Sequence, residues 1–313
     1  MEVQKTAMMH KAIDLGWNKS PLNKGETHVD TDGISVKLIY WPSDEKMLKQ
    51  AIAKMVLSTT GCDSQMEIPD ELGEELFRGG LQTGLEVPSV VFEVSGVSRQ
   101  LTHELVRTRK AVFHQQSMRH TDMGNKFNVR MPKTIRDSKT VLEIGEDSKL
   151  LRKYFGSVGS PEEIWQYCMD VCRETYAILK DANIPYQDAR TACPIATETY
   201  IIASYPLSEF INVYSYRACR MFLWEIQHVF KLMREEVLKK FPWMEPYIKV
   251  SCERSKRCQY QGWESTEFDC ELPWKNDRVY KPNLDLIGLK GKAYGNESKK
   301  GEADGSTQRV EKA

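Results

Sequence analysis

Arg107, Arg109 and Arg119 bracket a polar run, Gln115, Gln116 and Ser117, inside the segment GVSRQLTHELVRTRKAVFHQQSMRH from Gly96 to His120. Guanidinium groups this close repel one another unless an anion or several acceptors sit among them. Arginine is also the side chain best matched to phosphate, because its planar fork donates two parallel hydrogen bonds. The pattern therefore points to a phosphorylated ligand. Charge alone allows a plainer reading, a solvated helix face followed by a basic loop.

Global composition limits where such a ligand could be gripped. The chain has 313 residues, with 44 basic and 44 acidic side chains, so nothing overall draws it to nucleic acid or to an anionic surface. An anion site must be local. Binding of RNA or DNA through Lys110, Arg119, His120, Lys126 and Arg130, with Phe113 and Phe127 for stacking, is compatible with the residues but disfavoured by that balance. No apolar run reaches the roughly 20 residues that span a bilayer, and the first twenty residues lack the apolar core of a signal peptide. A soluble cytosolic protein is expected, with its eight cysteines mostly free thiols. Cys252, Cys258 and Cys270 are spaced unlike any standard zinc motif, and no histidine lies near them, so no metal is expected.

The elements that must position the arginines can be read from periodicity. Val36 to Tyr40 is a short β-branched strand, and Ser43 or Asp44 caps a helix running to about Ser58. Pro69 opens a second helix that Gly79-Gly80 stops. Val87 to Ser95 reads as a buried strand. Leu101, Leu105 and Val106 then give helical spacing over Arg99 to Arg109, which puts Arg107 and Arg109 near that helix's end. Residues 110–128 read as the loop that wraps the ligand, and Phe127 to Met131 as a strand. Ile164, Tyr167, Cys168, Val171, Cys172, Tyr176 and Leu179 form one stripe of a helix over 161–181. A strand from Tyr200 to Ala203 precedes a single long helix from a Ser208 cap to about Lys240, with aromatic residues suited to core or subunit interface. Strands interleaved with helices, without a βαβ rhythm, predict an α/β (α+β) fold with a mixed, largely antiparallel sheet packed with helices. Residues 1–33 read as a polar extension, 34–286 as the folded domain, and 287–313, rich in Gly, Lys, Glu and Ser, as a disordered tail.

The signature segment resembles that of the flavin-dependent thymidylate synthases: R-H-R, seven residues, then Ser, after a GVSR…TH lead-in. Gly96-Val97-Ser98-Arg99, Thr102-His103 and Arg107-Thr108-Arg109 follow that order, seven residues separate Arg109 from Ser117, and Arg119 takes the last arginine's place. The likeness extends over roughly Val36 to Cys270. Asp188-Ala189-Arg190 with Pro194 is similar to an element whose arginine contacts substrate phosphate, and Asn212, Arg217 and Trp224-Glu225-Ile226 are similar to the late helix. The resemblance implies that Arg217 is the catalytic group, promoting ionisation at N3 of a uracil. It implies that Glu104, Arg107, Gln115, Gln116, Ser117, Met118, Arg119 and Arg190 surround a pyrimidine nucleoside monophosphate. Thr83, Arg107, Thr108, Arg109 and Asn212 would lie along FAD. It further implies NADPH and methylenetetrahydrofolate as co-substrates, C5 methylation of dUMP, and a homotetramer whose sites are shared between subunits. Ser117 reads as a hydrogen-bonding ligand, and the signature loop contains no cysteine nucleophile.

Several positions depart from the family pattern. Thr108 replaces the middle histidine of the triplet, and Glu104 replaces a glutamine. Gly80-Leu81-Gln82-Thr83-Gly84-Leu85-Glu86-Val87 lacks both histidines of the family's upstream motif, and Pro206 and Ser208 stand where an asparagine and an arginine hold flavin. An ionised carboxylate accepts but cannot donate, so Glu104 either pairs with Arg107 or meets a different ligand. UMP, a deoxycytidine nucleotide or another one-carbon group is the resulting alternative, and a non-catalytic nucleotide-binding subunit is a third.

Overall fold

The computed structural model describes residues 28–258, apart from 30–31, 59–60, 62–68, 70, 73–74, 76–81 and 125–126. The expected tail lies outside these residues, as do most of the helix expected from Pro69 and its Gly79-Gly80 stop. The elements in chain order are β1 (His28–Val29), β2 (Ser35–Tyr40), α1 (Glu45–Leu57), β3 (Ser89–Ser98), α2 (Arg99–Leu105), β4 (Val112–Gln115), α3 (Lys133–Arg136), β5 (Leu142–Glu143), α4 (Lys149–Phe155), β6 (Val158–Gly159), α5 (Pro161–Asp181), α6 (Tyr186–Ala189), β7 (Glu198–Pro206), α7 (Leu207–Arg217), α8 (Trp224–Lys240) and α9 (Ser251–Ser255). Contacts divide the chain into a unit ending at Val250 and a second beginning at Ser251, of which only 251–258 are described.

The α/β class holds. Five strands form one sheet in the order β1-β2-β3-β7-β4, and each of its pairings is antiparallel. One face is packed. On β7, Thr199, Ile201, Ala203 and Tyr205 are buried while the residues between them are half-buried, the alternation of a sheet covered on one side. The covered side meets α2, α7 and α8. Phe92, Tyr205, Phe210 and Phe230 interlock there, with ring centroids 5.3–6.4 Å apart. Burial of each large apolar side chain stabilises the fold by about 1.5–3 kcal/mol. A smaller cluster of Phe127, Tyr176 and Ala189, with Cys172 and Cys193 packed on it, lies under α5.

β3 carries a bulge that matters for the site. Its register with β7 shifts between Ser95 and Val97, and Gly96 sits there with φ +71°. A Cβ at Gly96 would lie 2.4 Å from the Gly33 carbonyl oxygen, so only glycine fits. The extra residue turns Val97 into the core and brings Ser98 to the buried start of α2.

Five expectations are corrected. α2 ends at Leu105, because Arg107 and Thr108 donate to Glu104 and Leu105 three residues back and tighten the last turn, leaving Arg107 and Arg109 beyond the helix. Residues 112–115 form an edge strand where a loop was expected, since Phe113 and Gln115 have partners under the sheet. The segment from Phe127 makes only an isolated bridge, Val129 to Thr197. The single late helix is two, α7 and α8, joined by residues 218–223, and α7 has no side-chain cap from Ser208. The break lets Phe222 fold over Arg217 and sets Glu225 against Ser98. α5 has its expected span and a capping box from Ser160 and Glu163, but of its apolar stripe only Tyr176 is buried.

Candidate active site

α2 is held at both ends. At its start the Ser98 hydroxyl accepts from the Leu101 amide at 3.1 Å and caps the helix. The same residue donates twice to the buried Glu225 of α8. Burial drives the Glu225 carboxyl above its usual pKa, against the opposing pull of the Ser98 hydrogen bonds and the Arg130 charge. At the other end Glu104 meets Arg217, the last residue of α7. Arg217 Nη1 donates to Glu104 Oε2 at 3.0 Å and Nη2 to the Glu104 carbonyl at 3.1 Å. The Arg217 guanidinium lies 5.0 Å from the Phe222 ring and 5.5 Å from Tyr216, a cation between two aromatic faces. Of the two alternatives the sequence left for Glu104, pairing with Arg107 is not the one seen: the carboxylate pairs with Arg217, and Arg107 is exposed.

A second group forms around Arg99, which the sequence reading passed over although it belongs to the GVSR lead-in. Its Nη2 donates to the Gln116 carbonyl at 2.9 Å. Burial first, and then the charge of nearby Arg190, lowers the pKa of Arg99. Two cations close enough to act on one another suit an anion. Arg190 itself donates from Nε to the Gln187 carbonyl at 3.1 Å, which fixes its stem. Gln115 is anchored by its amide nitrogen to Thr102 Oγ1 at 2.9 Å and Thr199 Oγ1 at 3.3 Å, tying β4 to α2 and β7. Ser117 opens a turn in which its hydroxyl accepts from the Arg119 amide at 3.3 Å, leaving the Arg119 side chain exposed. Met118 is buried in the protein.

The residues expected along a flavin fall on adjoining elements. Thr83 is exposed on a short 3₁₀ turn, Gln82–Leu85, that packs against α7, which carries exposed Asn212. Lys110 lies 3.7 Å from Glu86, bringing the turn with exposed Arg109 beside it. Thr108 is buried, and its hydroxyl has no hydrogen-bond partner among the described residues. Exposed donors on three neighbouring elements, together with that orphaned hydroxyl, fit a large polar cofactor such as FAD.

An open cavity of about 390 Å³ is lined by residues that include Gly96, Gln116, Phe127, Asn128 and Tyr200, and none of Arg107, Arg119, Arg190 and Arg217 lines it. Arg217 pairs with Glu104, Arg190 lies by Arg99, and Arg107 and Arg119 face outward. Among the described residues no group of three or more His, Cys, Asp or Glu could hold a metal ion, and no helix is long and apolar enough to cross a membrane.

Residues 37–243 match the family model described as thymidylate synthase complementing protein. A flavin-dependent thymidylate synthase of Clostridium tetani is 31% identical over 231 residues, covering 71% of this chain and 89% of that protein. One from Geobacter sulfurreducens is 27% identical, covering 62% of this chain and 78% of its own. Among solved structures, a UMP/dUMP methylase from Streptomyces cacaoi bound with 5-Br dUMP shares the fold, with a TM-score of 0.51, 22% identity, and coverage of 70% of this chain and 97% of that one.

Proposed function

The chain belongs to the thymidylate synthase complementing protein family, and from that membership we propose that it is a flavin-dependent methyltransferase converting dUMP to dTMP. Bound FAD would supply the hydride, with methylenetetrahydrofolate as the one-carbon donor and NADPH as the reductant of the flavin. The protein then has two tasks, orientation and electrostatics.

C5 of a uracil becomes nucleophilic when electron density is pushed into the ring. Arg217 beside the base would stabilise negative charge as it develops on the ring oxygens, without giving up a proton. Arg190 and Arg99, with Ser117 and the outward-facing Arg107 and Arg119, would take the phosphate, and Gln115 and Gln116 the sugar and base edge. Thr83, Thr108, Arg109 and Asn212 would hold the flavin. The complete site is assigned to an oligomer, a homotetramer in this reading, in which neighbouring chains bring the exposed Arg107 and Arg119 to the nucleotide. Residues 34–286 are assigned as the catalytic domain.

One observation carries the reading: Arg217 is fixed, between aromatic rings, at the end of the helix that leads into the signature arginines. Purified protein should be yellow or take up FAD on titration, and should turn over dUMP with methylenetetrahydrofolate and NADPH. A colourless protein that binds no FAD would remove the assignment. A second reading, the same chemistry on UMP or a deoxycytidine nucleotide, is favoured by Glu104 standing at the base-facing arginine. Turnover of dUMP, UMP and dCMP side by side separates the two.

A further inference from the structure

The open cavity on the sheet contains none of the groups placed on the nucleotide or the flavin, apart from Gln116. At about 390 Å³ it falls within the roughly 300–1,000 Å³ of small-ligand pockets. Ser95 and Tyr200, both in its lining, are direct partners in the β3–β7 register. Thr199 and Ile201, on either side of Tyr200, are buried on the packed face, so Tyr200 stands on the other face of the sheet. Gln116 marks the boundary with the phosphate-seeking cations, because its carbonyl accepts from Arg99 at 2.9 Å.

Met123 and Phe127 give the cavity apolar surface, and Phe127 is fixed edge-on against Tyr176 with ring centroids 5.9 Å apart. The Tyr200 ring adds a flat surface, steadied by the hydrogen bond of its hydroxyl to Glu93. The Ser95 hydroxyl and the Asn128 carboxamide have no hydrogen-bond partner among the described residues. Glu198 spends Oε1 on Arg130 at 3.0 Å, which leaves Oε2 to accept from a ligand. No lysine or arginine lines the cavity. Such a lining disfavours an anion and suits an uncharged heterocycle that carries both donors and acceptors. A carboxamide pairs with an amino group beside a ring nitrogen, as adenine presents them, and a carboxylate oxygen accepts the second amino hydrogen. We infer that this cavity is a second binding site, separate from the nucleotide site, that takes the adenine base of an unphosphorylated nucleoside.

Equilibrium dialysis of the full-length protein with adenosine, inosine and AMP tests it, with dUMP present in excess to fill the nucleotide site. One adenosine per chain is expected, neither displaced by dUMP nor releasing added FAD. Inosine, whose carbonyl replaces the amino group, is expected to bind at least about tenfold more weakly. AMP should bind at least about threefold more weakly, because its phosphate meets no cation beside Glu198. Asn128→Ala, a change on an exposed side chain, should weaken adenosine about tenfold. The inference is overturned by an absence of adenosine binding, or by inosine or AMP binding as tightly as adenosine. Loss of adenosine on adding dUMP or FAD overturns it too, as does wild-type affinity in Asn128→Ala. The site does not depend on the flavin reading: a protein that binds adenosine in this way but takes up no FAD would keep the cavity's assignment and lose the proposed function.

Discussion

Ser98 and Glu225 join the start of α2 to the first turn of α8: the Ser98 amide donates to Oε1 at 2.6 Å, and its hydroxyl to Oε2 at 2.5 Å. Glu225 is 2% exposed, so these donors have no water to turn to if the carboxylate is removed. Glu225→Ala is expected to destabilise the protein by about 3 kcal/mol, the penalty of orphaned buried donors. Urea unfolding of the variant measures it, and a loss below about 0.5 kcal/mol would show that the contact does not hold α2.

The pH dependence of the same group has a definite sign. Burial raises the Glu225 pKa above 4.5 in the folded state, so folding favours the protonated form. Stability from this group is full below the unfolded value and declines as pH rises through the raised folded value. Wild type should therefore lose stability relative to Glu225→Gln on going from about pH 4 to pH 7. Parallel melting curves for the two proteins across that range would contradict the assignment.

Gly96→Ala should cost at least about 2 kcal/mol, since it combines a left-handed backbone with a contact that the fold cannot relax. The methyl group would meet the Gly33 carbonyl at 2.4 Å and an Arg130 nitrogen at 3.2 Å. Denaturant titration checks the stability, and unchanged stability would mean that the bulge can relocate.

Arg190→Ala should weaken binding of the nucleoside monophosphate about tenfold to a hundredfold while leaving the nucleoside almost unaffected, as expected for one charge-assisted hydrogen bond. Calorimetric titration with dUMP and deoxyuridine separates the cases. An equal loss for both would take the phosphate away from Arg190.

Arg217→Lys should slow dUMP turnover about a hundredfold with nucleotide affinity largely kept, because lysine cannot span the Glu104 side chain and carbonyl together. Steady-state kinetics reads this directly, and an unchanged kcat would remove Arg217 from the reaction.

Much of this was legible in the chain before any coordinates. β2, α1 and the span of α5 follow from local signals: a β-branched run, an Asp44 cap that accepts from Met47, and the Ser160-Pro161 start with Glu163 behind it. What could not be read was set by distant partners. The break after Arg217 has no glycine or proline to announce it, and it exists because Phe222 and Glu225 are needed elsewhere. The short strand at Val112 is stabilised by pairing with Ser204 on β7, which lies 92 residues away in sequence, so a local reading takes it for loop. In the candidate site the residue types were visible, but the pairing was not. Glu104 stands closer in sequence to Arg107 than to Arg217, and only the fold decides between them.

With one carboxylate securing its beginning and another securing its end, α2 acts as a fixed rail. Any local adjustment of the signature segment must then fall to the few residues that follow it, from Val106 to Ala111. Those residues carry Arg107, Thr108 and Arg109, so whatever give the signature has is concentrated in that triplet.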